Sequence, residues 1–253
     1  MIYLALFFLG VFAFLLRFNF YRPPKKGIAV LLYHRIDDSL TNTSLDKFSI
    51  SPLVFENHIN YLKKKGYRAI LPSEIESLKK DNAWKKNKYV LITFDDGYKD
   101  NVKAAEILKK YSMKGLFFIS TAYIGKSMNG VKMLDKDDIQ RIVFLGMAIG
   151  SHSHHHKKLP NLSSDEINNE ISQSLKILSS FFDVKDFAYP FGSYSQEVVN
   201  ILKRNGVKRA YIIGQKIYQI GKFSEYKIPR AIVRKSTTHT DFYLLITRGR
   251  ARI

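Results

Sequence analysis

No cysteine occurs among the 253 residues, and there is a single tryptophan. Without thiols a disulfide or a zinc–thiolate site is impossible, so any metal has to be held by histidine, aspartate or glutamate. The absence fits either side of a bacterial membrane and does not locate the chain. Acidic residues are scarce: 22 Asp and Glu stand against 41 Lys and Arg, a net charge of +19. Such an excess favours an anionic environment, whether nucleic acid, phospholipid headgroups or phosphate-linked sugars. No nucleic-acid motif accompanies the lysines, and their runs are short, at Lys63–Lys65 and Lys85–Lys86. A lysine-rich solvated surface explains any one run as well. Repeats, low-complexity tracts and a Gly-rich dinucleotide fingerprint are also lacking. What is plentiful is apolar mass, 45% of residues with 18 Phe and 15 Tyr. That excludes disorder and favours a strand-containing globular fold, at this length one large domain or at most two small ones.

Ile2 to Leu16 is an unbroken apolar run, and through Phe18, Phe20 and Tyr21 it reaches the ~20 residues that cross a bilayer. It reads as an uncleaved single-pass anchor over 1–21. A cleaved signal peptide fits less well, because no Lys or Arg precedes the run and no small-x-small site follows it. A buried helix of the domain is the plainer alternative. Arg17, Arg22, Lys25 and Lys26 all follow the run, a bias that would hold the domain in the cytoplasm. Residues 22–27, with two prolines and a glycine, read as a linker, and a domain follows over 28–253.

From there strand-like and helix-like segments alternate. The strands are 28–34, 67–70, 89–94, 115–120, 146–152, 187–190, 209–213 and 227–233. The helices are 52–66, 98–112, 135–145, 163–182, 195–205 and 237–248. The helical segments carry apolar residues at spacings of three and four, and Ser163 or Ser164 ahead of Glu166 is a capping signal. Continued alternation predicts α/β architecture, a parallel sheet with helical crossovers. Seven or so such units in ~220 residues suggest a distorted (β/α) barrel rather than an open sheet.

The polar signals fall at strand ends. His34 ends IAVLLYH, Asp95 and Asp96 end YVLITF, and His152 ends GMAIGSH with His156 just beyond. Pro190, Phe191 and Gly192 end FAYP. In a parallel barrel these ends share one face, where active sites are built. Adjacent carboxylates at a strand end point in different directions, so one can bind a metal while the other faces a reacting water. Asp-Asp-Gly taken alone is equally good turn chemistry. His152 and His156, four apart, can reach one ion from one side of a turn, and neutral imidazole suits zinc and its neighbours. A polar His-rich loop is the plainer reading of that cluster.

TFDDG (93–97), H-S-x-x-H (152–156) and YPFG (189–192) resemble, in order and spacing, the motifs of carbohydrate esterase family 4, the polysaccharide deacetylases with a NodB-homology domain. The resemblance covers roughly residues 28–233. It implies a distorted (β/α) barrel that hydrolyses acetamides on sugars around one divalent ion, zinc first, with cobalt or nickel as alternatives. By position it implies Asp95 as general base and Asp96, His152 and His156 as metal ligands, with Pro190, Phe191 and Gly192 beside the substrate. LLYH (31–34) stands ahead of TFDDG, as in the circularly permuted subgroup acting on poly-β-1,6-N-acetylglucosamine, which makes His34 the general acid. The third motif departs from the family: its arginine, expected at 188, is Ala188. Arg230, in IPRAIV, is a candidate to orient the base instead. The implied partners are a carbohydrate, polymeric or lipid-linked, and the membrane, with no nucleic acid. The resemblance leans to the outer face of a bacterial cell membrane. A metal-dependent phosphodiesterase and an inactive carbohydrate-binding homologue are the competing readings.

Overall fold

The computed structural model describes residues 2–17, 23–39, 41, 44–80 and 82–251. The apolar run forms helix α1 over Ile2–Arg17, sixteen residues with every side chain exposed. At 1.5 Å per residue it is ~24 Å long, short of the ~30 Å hydrocarbon layer. Among the described residues no helix is long and apolar enough to cross a membrane. The remainder of the expected span, through Tyr21, lies outside the described residues.

The domain begins at strand β1 (Ile28–Tyr33), buried along its whole length. There follow α2 (Pro52–Lys64), β2 (Arg68–Ala69), α3 (Ile75–Lys80), β3 (Tyr89–Phe94), α4 (Asn101–Lys110) and β4 (Leu116–Ile119). A hairpin of β5 (Ser127–Met128) and β6 (Val131–Lys132) precedes α5 (Lys136–Phe144) and β7 (Ala148–Ser151). The chain closes with α6 (Ser164–Leu178), β8 (Asp186–Ala188), α7 (Gln196–Arg204), β9 (Arg209–Ile213), β10 (Ile228–Ile232) and α8 (His239–Arg248). The capping signal is realised at Ser163, whose hydroxyl accepts from the Glu166 N–H while Glu166 reaches back. The hairpin was not expected, although Asn129-Gly130 at its tip, both at positive φ, is the usual signature of a tight two-residue turn.

Strand β1 pairs with β10 on one side (Leu31↔Ala231) and with β3 on the other (Ile28↔Tyr89 through Tyr33↔Phe94). Pairings β3–β4, β4–β7, β7–β8, β8–β9 and β9–β10 complete the circuit, all parallel. Seven strands therefore close into a barrel, and β2 adds to the start of β3. The closure rules out the open sheet.

Side-chain alternation sorts the strand residues into two sets. Ala29, Leu31, Val90, Ile92, Phe117 and Ile149 pack outward against the helices. Ile28, Val30, Leu91, Leu116, Phe118, Ala148 and Ala188 fill the barrel. Each fully buried Leu or Phe contributes about 1.5–3 kcal/mol by leaving water. Gly150 is needed inside: a Cβ there would sit 2.4 Å from the Phe118 ring. Continued upward, the inward parity carries Leu32 to His34, Leu91 through Thr93 to Asp95, Ala148 to His152 and Ile228 to Arg230. The two-residue repeat thus aims four of the predicted site residues at the barrel axis.

Candidate active site

Asp95 extends β3 by one rung, its N–H donating to Tyr33 O at 3.0 Å. Asp96 then turns at φ 76° and Gly97 at φ 85°. The left-handed step takes Asp96 out of strand parity, so the two adjacent carboxylates serve different partners. Such a conformation costs a non-glycine residue of order 1 kcal/mol and persists only where its surroundings enforce it.

Asp95 is gripped by Arg230. Nη1 donates to Oδ1 at 2.6 Å and Nη2 to Oδ2 at 2.7 Å, a two-pronged pairing of fully buried groups. Nη1 also reaches Thr93 Oγ1 at 3.3 Å, and the guanidinium lies 5.4 Å from the Phe118 ring that Gly150 makes room for. Burial alone raises the Asp95 pKa, but Arg230 and then His152 more than reverse it, leaving the carboxyl below its ordinary range. A guanidinium thus reaches Asp95 from β10, in a chain whose third motif has Ala188 where the family has arginine. Ala188 contributes its carbonyl instead: His152 Nδ1–H donates to it at 2.8 Å. That bond fixes the tautomer and leaves Nε2 with a free lone pair.

His152 Nε2 and His156 Nε2 each lie 3.3 Å from Asp96 Oδ1. These three residues form the cluster of potential metal donors among the described residues, with all donor atoms within 4.8 Å of one another. Bonds of ~2.0–2.1 Å to a tetrahedral ion span edges of ~3.3–3.4 Å, so the spacing fits. One carboxylate and two imidazoles suit zinc, cobalt or nickel. The electrostatics fit as well. Burial and then His152 lower His156 to about 4, so it is neutral and able to bind metal. For His152 burial pulls down, but Asp95 and Asp96 outweigh it and the net shift is upward. Asp96 is held well below its usual range by His152 and His156 despite burial.

His34 stacks on Phe48 with ring centroids 4.8 Å apart, and its buried Nδ1 has no partner among the described residues. Burial lowers its pKa, and Asp96 and Asp95 oppose the shift. At rest the ring is therefore mostly neutral near pH 7. Pro190, Phe191 and Gly192 form a short turn at the rim. Phe191 is at φ 60°, 62% exposed, with its ring 4.6 Å from that of His156. Gly192, at φ 67°, packs against Ile213 where a Cβ would come within 3.0 Å.

One residue of the site escaped the sequence reading. Glu170, buried on α6, accepts from the backbone N–H of His154 (3.1 Å) and of His155 (2.7 Å) and from His155 Nδ1 (2.8 Å). The same helix sends Ser174 Oγ to Ser151 Oγ at 2.8 Å. The loop so held contains two left-handed residues, Ser153 (φ 62°) and His156 (φ 55°). Glu170→Leu removes the single oxygen, Oε2, that accepts from both backbone N–H groups, and leaves both donors unpaired. Metal affinity, read by competition with a chelator, is expected to fall about 10–100-fold, while His155→Ala, which keeps both backbone bonds, loses much less. Equal effects of the two substitutions would show that the loop does not depend on the Glu170 carboxylate.

The polysaccharide deacetylase family model matches residues 82–210. A Bacillus subtilis (strain 168) protein named "Putative polysaccharide deacetylase YxkH" is 30% identical over 188 residues, 73% of this chain and 63% of that protein. The chain thus spans less than two thirds of that relative's length. The poly-beta-1,6-N-acetyl-D-glucosamine N-deacetylase of Staphylococcus aureus (strain MRSA252) is 25% identical over 240 residues, 83% of this chain and 82% of that one. The fold is similar to that of the Streptococcus pyogenes deacetylase PplD solved with acetate, with a TM-score of 0.77 at 23% identity, covering 88% of this chain and 99% of the other. The chain belongs to the polysaccharide deacetylase family.

Proposed function

We propose that the protein hydrolyses N-acetyl groups from a cell-envelope carbohydrate, poly-N-acetylglucosamine-like or a lipid-linked N-acetylhexosamine, and releases acetate. The observation that carries this reading is the meeting of the Asp96–His152–His156 cluster with an Arg230-clamped Asp95 at the mouth of one barrel. The YPFG turn and the staphylococcal N-deacetylase relative support the choice of bond. The protein is read as held at a bacterial membrane by residues 1–21.

An amide resists hydrolysis because its carbonyl is weakly electrophilic and its amine leaves poorly. Asp96, His152 and His156 would hold a divalent ion, zinc foremost, which would supply Lewis acidity at the carbonyl. Asp95 accepts the proton of the attacking water; Arg230 keeps it ionised and aimed. The Phe191 N–H, without a backbone acceptor among the described residues, is placed to donate to the oxyanion. His34, in its imidazolium form after taking a proton from solvent, protonates the departing amine and returns to the neutral ring it holds at rest. A phosphodiesterase of the two-metal kind would need a second cluster of His and carboxylate ligands beside the first. Acetate release and mass shift, measured in parallel on poly-N-acetylglucosamine, lipid-linked N-acetylhexosamine and peptidoglycan fragments, test the reading. No acetate from any of them, with phosphate-ester cleavage instead, would overturn it.

Metal binding should weaken on acidification, with a sign set by the histidines. Both must be neutral to bind, and His152 is raised above its ordinary ~6.5, so protons compete with metal already above that pH. His156, at about 4, adds to the loss only in stronger acid. Metal content after equilibration at a series of pH values, by elemental analysis, measures this. Affinity that is flat from pH 8 to pH 5 would contradict it.

A further inference from the structure

The barrel has two unlike ends. Because its strands are parallel, one end carries His34, Asp95, Asp96 and His152, and the loops beyond them add Asp37, Asp100 and Asp135. The opposite end carries lysines. Lys26, Lys88, Lys114, Lys185, Lys208 and Lys227 each stand within two residues of the start of a barrel strand, which leaves β7 as the one strand without. Lys26, Lys88, Lys114 and Lys208 are exposed, whereas Lys227 is turned onto the Tyr194 ring. Of the carboxylates at this end, Glu74 is paired with Arg68 and Lys114, Asp183 with Lys185 and Asp186 with Arg209, while Glu225 accepts from the Tyr218 hydroxyl and Glu76 is exposed. Strand starts in a barrel have no structural requirement for lysine. The six lysines nonetheless set this end apart from the acidic loops of the catalytic mouth.

A second feature falls at the same end. The linker before β1 is fastened there, with Lys25 N–H donating to Thr247 O at 2.8 Å and Gln219 Nε2 to Lys26 O at 3.0 Å. The chain thus leads from the basic face toward α1, a helix of sixteen exposed residues, apolar but for its last, Arg17. An apolar segment joined to a ring of lysines matches one kind of partner, a bilayer with anionic headgroups. Lysines act on such a surface only within about a Debye length, ~8 Å at physiological salt, so the face has to lie on it rather than near it.

We propose that the amino-terminal end of the barrel docks on an anionic lipid surface, so that the catalytic mouth opens away from the membrane. The six residues of β1 rise ~20 Å at ~3.3 Å each, and with barrel strands tilted ~36° from the axis this places the site ~16 Å above the strand starts. Given the deacetylase reading, on which this consequence rests, the docking disfavours the lipid-linked N-acetylhexosamine of the two substrates named for it, because an amino sugar joined directly to a lipid phosphate is out of reach. A glycan extending outward from the surface is within it. The docking itself is measurable without substrate, so its failure and that of the deacetylase reading are told apart.

The test uses the full chain with vesicles of phosphatidylcholine alone and with added phosphatidylglycerol. The variant Lys26→Gln, Lys88→Gln, Lys114→Gln, Lys208→Gln changes exposed side chains remote from the catalytic end. Each basic residue at an anionic surface strengthens binding by roughly fivefold. The variant should therefore lose at least tenfold of its preference for the anionic vesicles. Its partition into phosphatidylcholine and its deacetylase rate on soluble substrate should be unchanged. Orientation is read with single cysteines, which are unique thiols in this chain. A fluorophore on Lys208→Cys should be quenched by a headgroup-borne quencher, and one on Asp137→Cys, at the start of α5 on the catalytic side, should not. Unchanged anionic preference in the lysine variant, or quenching at 137 equal to or greater than at 208, overturns the proposal and leaves the lysines as a solvated surface.

Discussion

Asp95→Asn is expected to retain the metal and to lose about 10²–10⁴ in kcat, the loss typical of removing a positioned proton acceptor. An amide oxygen can still accept from Arg230, which holds the side chain in place, but it cannot take a proton from water near pH 7. Asp96→Asn should behave differently. Asparagine tolerates the left-handed backbone at φ 76°, so the turn survives while the anionic ligand is lost. Metal binding should weaken first, with part of the activity returning in excess ion. Metal content and kcat measured together separate the two carboxylates. If Asp95→Asn releases the metal and recovers with excess ion, the roles assigned to Asp95 and Asp96 are exchanged.

Arg230→Lys is expected to lower both stability and turnover. A lysine keeps the charge but not the planar fork that meets both Asp95 oxygens. Leaving a fully buried carboxylate without its partner costs about 3–5 kcal/mol when the pair is broken outright, so Arg230→Gln should approach that figure and Arg230→Lys fall below it. The pH dependence follows from the same pair. Asp95 is held below its ordinary range, so its contribution to stability is complete above about pH 4 and is lost as pH falls through the depressed value. Without the guanidinium its pKa rises, and the acid limb of the kcat/KM profile should move to higher pH. Denaturant unfolding and that profile check the two effects. A variant with reduced stability and an unmoved acid limb would make Arg230 a core residue that does not tune the base.

Both substitutions address a pairing that the sequence only hinted at. Arg230 lies 42 residues beyond Ala188, the position where the family motif would put an arginine, and nothing local marks it as a substitute. The two positions become equivalent because β10 returns to close the ring on β1, and the inward parity of Ile228 carries on to Arg230. Glu170 was invisible for the same reason. On α6 it reads as one charged residue of an amphipathic helix, and its three bonds to the His-rich loop exist only once α6 packs beside β7.

Local chemistry alone determined much of this protein. The uncharged run YVLITF and the segment RAYII became β3 and β9 with the expected ends, and Ser163 capped α6 through Glu166 as its spacing required. The order of TFDDG, H-S-x-x-H and YPFG was enough to indicate the family and which residues should meet. Strand, cap and turn signals depend on side chains within a few residues of one another, so a linear reading captures them. Closure of the barrel, the clamp on Asp95, the grip of Glu170 and the gathering of six lysines at the strand starts were decided by the tertiary structure. These depend on which strand lies beside which and on which way its side chains face, and both are set by pairings between residues tens to hundreds of positions apart.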